Sequence, residues 1–389
     1  MKPRVCWVFS AEQSLRAFLL DHLTALSDHF EFTLILPRNE GLATGGGALP
    51  VEVIRLPIAR RPDMLNDSAA LAGICRSLSQ KKFDLVHSFM PKAGLLVSLA
   101  RVTGFPGLRL HTFTGQVWAT RTGLVRASLK AADRFIARMS DVIVADSRSQ
   151  SKLLAEAGIM RGSDAVVLGD GSFTGVDLER FDVSVEVRTR LRAELGIGEG
   201  ERIVVFLGRV NRDKGVLDLA RAAAGLASRG HRFHLIIAGP DEEGLTLQIG
   251  SICSVLEGRL LLPGLTASPE KWLAIADVFC LPSYREGFGT SVIEAAAAGV
   301  PAIASRIPGL VDAVVDGETG LLVDARDVPQ LSAALSALLG DSTKARAMGA
   351  AARSRARALF SRQRSIQDWR NLYSGLLRGG VSRETGREG

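Results

Sequence analysis

The chain has 389 residues, of which 47% are hydrophobic, with 40 glycines, 14 prolines and a basic excess that sets the net charge at +7. That length fits two or three domains of ~150 residues, and the composition excludes collagenous, coiled-coil and disordered classes. No stretch reaches the ~18 to 20 uncharged apolar residues of a spanning helix, and Met1-Lys2-Pro3-Arg4 leads into a strand-like run rather than a secretory leader, so a globular cytosolic protein is expected.

The positive charge asks for an anionic partner: nucleic acid, a membrane surface or a phosphorylated substrate. Cys6, Cys75, Cys253 and Cys280 lie far apart, without metal or redox spacing, and read as free thiols.

Apolar runs recur at Val5–Phe9, Phe32–Leu36, Val51–Leu56, Asp84–Phe89, Leu108–Phe113 and Val142–Ala145, with helix-period stretches between several of them. This alternation predicts a doubly wound parallel α/β sheet. The chain turns irregular from Gly171 to Val183, and a charged helix over Val185–Leu195 follows. A second series of strands is predicted at Ile203–Leu207, Phe233–Ala238, Leu260–Leu262, Val278–Leu281, Ala302–Ala304 and Leu321–Val323.

Helices are predicted at Val328–Leu339 and Lys344–Leu359, and a last one over Ser365–Leu377 carries Ile366, Trp369, Leu372, Leu376 and Leu377 at helical spacing. The expected division is residues 1–175, residues 176–364, a terminal helix over 365–380, and a loose tail over 381–389. The glycine run at 44–47 lacks phosphate-loop spacing and reads as a loop.

The second series opens with Gly208-Arg209-Val210-Asn211-Arg212-Asp213-Lys214-Gly215, a strand end followed by a basic loop and a helix start. Arg209 and Lys214 there place two cations at the ligand edge of an open sheet, where they suit a diphosphate. Residues 283 to 301 make a second such turn, with Glu286, Gly287, Phe288, Gly289, Thr290 and Ser291 leading into an Ala-rich helix that carries Glu294. Amides at a helix start attract anions, and two carboxylates beside them fit sugar hydroxyls.

Glu286 and Glu294, with seven residues between them and Gly-Phe-Gly after the first, resemble the signature of retaining glycosyltransferases of the GT-B fold, glycosyltransferase family 4. The Gly-Arg…Lys-Gly segment looks like that family's second motif. The resemblance covers nearly the whole chain. It implies two Rossmann-like domains facing a cleft, with the last helix crossing back onto the first domain.

It further implies donor contacts from Gly208, Arg209, Lys214, Gly264, Leu265, Thr266, Glu286, Gly287, Phe288, Gly289, Thr290, Ser291 and Glu294. Arg209 and Lys214 would hold the pyrophosphate, Glu286 the donor sugar and Glu294 the ribose. His111, at a predicted strand end in Leu110-His111-Thr112-Phe113-Thr114-Gly115, would contact the sugar near the reacting carbon.

On the acceptor side, Ser10, Ser14, His87, Lys92, Thr114 and Gly115 are the expected lining, although the Gly-rich loop usual after the first strand is missing. His87 reads equally well as a core histidine. The chain is similar in these features to bacterial transferases that build capsule or O-antigen on a polyprenyl diphosphate carrier. The expected reaction moves a hexose or N-acetylhexosamine from a nucleotide sugar, with uridine as the base. Rival readings are a catalytically silent nucleotide-sugar-binding subunit and a GT-B epimerase or phosphorylase.

No His/Asp/Glu cluster has metal spacing and no Asp-x-Asp element is present, so metal-free chemistry without a cofactor is expected. Arg126, Lys130, Arg134 and Arg138 recur at helical spacing and form a basic stripe, which reads either as a solvated helix face or as a contact for an anionic membrane surface. Nucleic acid is not expected, since recognition motifs and aromatic platforms are missing.

Overall fold

The computed structural model describes residues 1–38, 51–59, 63–101, 104–160 and 165–379. The glycine run at 44–47 and the tail over 381–389 lie outside the described residues. Strands β1 (Arg4–Phe9), β2 (Glu31–Pro37), β3 (Glu52–Leu56), β4 (Leu85–Phe89), β5 (Leu108–Phe113), β6 (Val142–Ala145) and β7 (Val166–Val167) form one sheet in the order β3-β2-β1-β4-β5-β6-β7. Strands β8 (Arg202–Leu207), β9 (Phe233–Ala238), β10 (Leu260–Gly264), β11 (Val278–Leu281), β12 (Ala302–Ser305) and β13 (Gly320–Val323) form another, ordered β10-β9-β8-β11-β12-β13.

Every pairing in both sheets is parallel. Parallel strands covered on both faces bury both sets of side chains, which is why they read as unbroken apolar runs. The two residues of β7, an edge strand, were too short to leave such a run.

Helices α1 (Glu12–Phe18), α2 (Leu20–Leu26), α3 (Met64–Lys81), α4 (Pro91–Ala100), α5 (Gly123–Met139) and α6 (Arg148–Glu156) accompany the first sheet. The second carries α7 (Val185–Glu194), α8 (Val216–Ser228), α9 (Thr246–Ile252), α10 (Pro269–Ile275), α11 (Thr290–Ala297), α12 (Leu310–Ala313), α13 (Val328–Gly340) and α14 (Ser342–Leu359). In both sheets the winding reverses beside a central strand, β1 in the first and β8 in the second, because the next strand in sequence to join that side is β4 or β11. Such a switch point opens a crevice at the carboxyl ends of the two strands. The crevice of the second sheet therefore lies between the loops that follow β8 and β11.

The last helix, α15 (Arg362–Gly379), returns to the first sheet as expected. It starts at Arg362 rather than Ser365 because a bridge pairs Val176 with Ser361 immediately before it. Trp369 and Tyr373 are buried in one core with Trp7, Phe9 and Phe89. Burying ~150–250 Å² per large aromatic at ~25 cal/mol/Å² stabilises the docking by roughly 4–6 kcal/mol apiece as an upper bound.

Polar ends are matched there too. Trp7 Nε1 donates to the Tyr373 hydroxyl at 2.9 Å, Trp369 Nε1 donates to the Phe173 carbonyl at 2.8 Å, and the Ser365 hydroxyl donates to the same carbonyl at 2.6 Å.

Candidate active site

The loop after β8 is shaped by Asn211, whose side chain accepts from the Lys214 amide at 3.1 Å and caps a short turn over Arg212–Lys214. Gly215 closes it at φ 68°, and a Cβ there would lie 2.0 Å from the Pro282 carbonyl oxygen, so the loop packs directly on the one after β11. Asp213 ties the two together: its carbonyl accepts from the Tyr284 amide at 2.8 Å and its carboxylate from Arg285 Nε at 2.9 Å.

This lacing brings Lys214 Nζ to within 2.6 Å of Glu286 Oε1, which also accepts from the Ser283 hydroxyl at 2.7 Å. Arg209 stands on the other side of the β8 loop, its guanidinium 2.9 Å from Glu242, a carboxylate that Asn211 Nδ2 also reaches at 2.9 Å. Both cations of the crevice are thus paired with an acidic side chain in this structure. A bound diphosphate has two pre-placed cations to share with those carboxylates.

Gly289 precedes α11 at φ 85°, with Thr290 and Ser291 opening the helix. Glu294 sits one turn further on, half-buried, and burial pushes its carboxyl up to about 7 despite the opposing pull of Arg180 and Arg362. After β10, Gly264 turns at φ 72°, Leu265 leaves its side chain 57% exposed, and the Thr266 hydroxyl accepts from the Ser268 amide and Trp272 Nε1. Thr266 therefore shapes its loop, and Leu265 is the apolar group the loop presents. Phe288 differs from expectation: its ring is buried in the second core, 5.1 Å from the Phe360 ring, so only its backbone faces outward.

Both histidines expected at the cleft are in the interior of the first domain. His111 is 0% exposed, its Nδ1 is 2.9 Å from the Ser88 hydroxyl, and a Cβ on Gly94 of α4 would fall 2.4 Å from its ring. It points into the sheet–helix interface because it lies within β5 rather than beyond it, and burial holds its ring down to about 3, hence neutral. His87, likewise within β4, bridges the Tyr373 hydroxyl at 2.6 Å and Thr112 Oγ1 at 2.7 Å, and so fastens α15 instead of touching an acceptor.

The first-domain groups that do reach the crevice lie past their strand ends. Gly115 presses on the second domain, since a Cβ on it would be 3.0 Å from both the Glu286 carbonyl carbon and the Gly287 nitrogen. Thr114 precedes it in the same segment, beside Gly287. Ser10 and Ser14 lie against the Met90 sulfur at 4.0 and 3.7 Å, and Lys92 is engaged by Asp67 at 2.6 Å.

Asp146, one residue past β6, went unnoticed in the sequence. Its carboxyl Oδ1 accepts from the Phe173 amide at 3.2 Å, Oδ2 faces Gly287, and burial, with Glu286 nearby, pushes it up to about 7. Its position directly after a strand-like run, as Ala145-Asp146-Ser147, was the available signal.

The basic stripe lies on α5 but is partly committed. Arg134 donates to the carbonyls of Gly158 and Ala157 and caps α6, and Lys130 lies 5.2 Å over the Trp118 ring. Arg126 and Arg138 are exposed, and so are Leu124 (89%) and Val125 (58%) at the start of the same helix. Among the described residues no helix is long and apolar enough to cross a membrane, and no group of three or more His, Cys, Asp or Glu is placed to hold a metal.

Residues 187–355 match a family described as glycosyl transferases group 1, and residues 18–171 one described as a glycosyl transferase 4-like domain. A D-inositol 3-phosphate glycosyltransferase of Arthrobacter sp. (strain FB24) is 30% identical over 312 residues, covering 77% of this chain and 72% of that protein. CapM, a capsular polysaccharide biosynthesis glycosyltransferase of Staphylococcus aureus, is 25% identical over 325 residues, covering 83% and 85%. Among solved structures, Anabaena HepE in complex with UDP and glucose matches with a TM-score of 0.78 at 19% identity, over 96% of this chain and all of that one.

Proposed function

Since the chain belongs to the group 1 glycosyltransferases, we propose that it transfers a hexose or N-acetylhexosamine from a UDP-sugar to an acceptor hydroxyl with retention of configuration. The acceptor in this reading is a sugar linked to a polyprenyl diphosphate. The observation that carries the reading is the convergence of Lys214 and Glu286, 2.6 Å apart, with Arg209 on the same loop, at the switch point of the second sheet. CapM supports a cell-surface polysaccharide acceptor, and the ligands named for HepE support a uridine donor.

In this mechanism Arg209 and Lys214 take the diphosphate, Glu286 accepts from hydroxyls of the sugar and Glu294 from those of the ribose. The bond from the anomeric carbon to the phosphate oxygen breaks as the bond to the acceptor oxygen forms on the same face. The acceptor's proton passes to the departing phosphate oxygen. No protein nucleophile and no resident metal are required, because the two cations neutralise the charge that develops on the leaving group.

A panel of nucleoside diphosphate sugars tested for thermal stabilisation identifies the donor, since a ligand of the native state raises its melting temperature. UDP-sugars are expected to stabilise and GDP- or ADP-sugars not to. Ribose hydroxyls need an ionised Glu294, so binding displaces its proton, and the stabilisation grows as pH rises from about 6 to about 8. Glu294→Gln should flatten that dependence; an unchanged slope would remove Glu294 from the ribose.

Attachment to the inner face of the cell membrane is proposed through the start of α5, where exposed Leu124 and Val125 adjoin Arg126. Each basic group near an anionic surface contributes ~1 kcal/mol. Changing Leu124, Arg126 and Arg138 to Ser, which spares the structural Lys130 and Arg134, should weaken binding to anionic vesicles in a salt-dependent way. Equal binding by the variant refutes the attachment.

A further inference from the structure

The peptide joining Glu286 to Gly287 is held by both domains. On the first-domain side stand Gly115 and the Asp146 carboxyl, the latter 2.7 Å from where a Gly287 Cβ would be. On the other side stands Gly309, at φ 90°, where a Cβ would meet the Gly287 carbonyl oxygen at 2.5 Å. A side chain at Gly309 would displace the loop that carries Glu286, and one at Gly287 would press on Asp146 and the first-domain backbone at Gly115.

Gly309 is in turn fixed from the first domain. Its amide donates to the Ser149 hydroxyl at 2.7 Å, that hydroxyl donates to Asp312 Oδ2, and the Ser149 amide donates to the same oxygen at 3.0 Å. Ser149 lies in the first turn of α6, where its amide is one the helix itself leaves unpaired and Asp312 accepts from it. Asp312 has little freedom of its own, because Arg355 of α14 donates to the carbonyls of Asp312 and Ala313 at 2.8 and 3.1 Å.

From this geometry we propose that Ser149 and Asp312 are a positioning pair for the transfer: their hydrogen bonds close the first domain onto Gly309, which seats the Glu286–Gly287 peptide against Lys214. The pair touches neither donor nor acceptor. It acts through the Glu286 loop, and it rests on the transferase reading above.

The arrangement makes the placement of Glu286 depend on the closed state of the domains. Donor binding to Arg209 and Lys214 needs only the second domain. Correct orientation of the sugar needs both. Loss of the pair should therefore affect turnover more than nucleotide affinity, because a displacement of a catalytic group by ~1 Å can cost up to ~100-fold in rate.

The test compares wild type with Ser149→Ala, Asp312→Asn, the double variant and Ser149→Thr, which keeps the hydroxyl. Turnover, UDP affinity measured without acceptor, and the radius of gyration in solution are read for each. Both single variants are expected to lose about tenfold in kcat with UDP affinity within about twofold. The double variant is expected to be no worse than the weaker single, because both changes break one contact, and Ser149→Thr to recover most of the rate.

The radius of gyration of Ser149→Ala should exceed that of wild type without any ligand. Additive losses, unchanged kcat, or UDP affinity falling in step with kcat would each overturn the pair. If wild type transfers no sugar at all, the transferase reading fails. The scattering comparison still decides the latch, and equal radii overturn it.

Discussion

Lys214→Ala is expected to lower kcat/KM for sugar transfer by about 10²–10³-fold, the range seen when a preorganised charge-stabilising group is removed from a site. Lys214 is mostly enclosed, its ammonium 2.6 Å from Glu286, so its loss removes a diphosphate cation and leaves Glu286 without its partner. Glu286→Gln keeps the shape of the side chain and its contact with the Ser283 hydroxyl but weakens acceptance from the sugar, and a comparable loss in kcat is expected.

Because Lys214 and Glu286 are in direct contact, the double variant should fall well short of the product of the two single effects. Lys214→Arg should recover little, since a planar fork does not replace a point charge at this spacing. Steady-state kinetics on the four variants and wild type, with melting curves to show that each is folded, make the comparison. Wild-type rates in Lys214→Ala would remove it from the chemistry.

Trp369→Ala is expected to destabilise the first domain by about 3–5 kcal/mol, the cost of emptying a large aromatic site in a core. Trp369 is 1% exposed among His87, Phe89, Phe173 and Tyr373, and the helix carrying it arrives from the far end of the chain. Tyr373→Phe should cost about 1–3 kcal/mol by a different route, because Trp7 Nε1 and His87 Nδ1 then lose their common partner inside the core.

Two domains need not unfold together, so urea unfolding is best followed by both tryptophan fluorescence and circular dichroism. An early transition is expected in Trp369→Ala that is missing in wild type. Unaltered unfolding would mean that α15 contributes nothing to the first domain's core.

Most of the architecture could be read from the chain because buried parallel strands are apolar from end to end. Leu108–Phe113 and Val142–Ala145 have the bounds expected from the sequence. The carboxyl-edge loops of the second domain were legible for a related reason: Gly215 and Gly289, with cations and acids beside them, mark turns that only a strand–loop–helix junction requires.

The burial of His87 and His111 follows from their position within β4 and β5. In a sheet covered on both faces, side chains inside a strand point to one helix layer or the other, and only residues beyond the strand end face the crevice. By that rule Thr114, Gly115 and Asp146 were the first-domain candidates, and His87 and His111 were core. Asp213 and Asp312 escaped notice because their meaning lies in partners remote in sequence: Arg285, 72 residues away, and Ser149, 163 residues away.

The most direct test of the account is the anomeric configuration of the product, followed by proton NMR from the first turnovers with the UDP-sugar that stabilises the protein. A product with the same configuration as the donor, formed in step with UDP release, is the predicted result. An inverted product, or UDP released with the sugar passed to no acceptor in any panel, would contradict it.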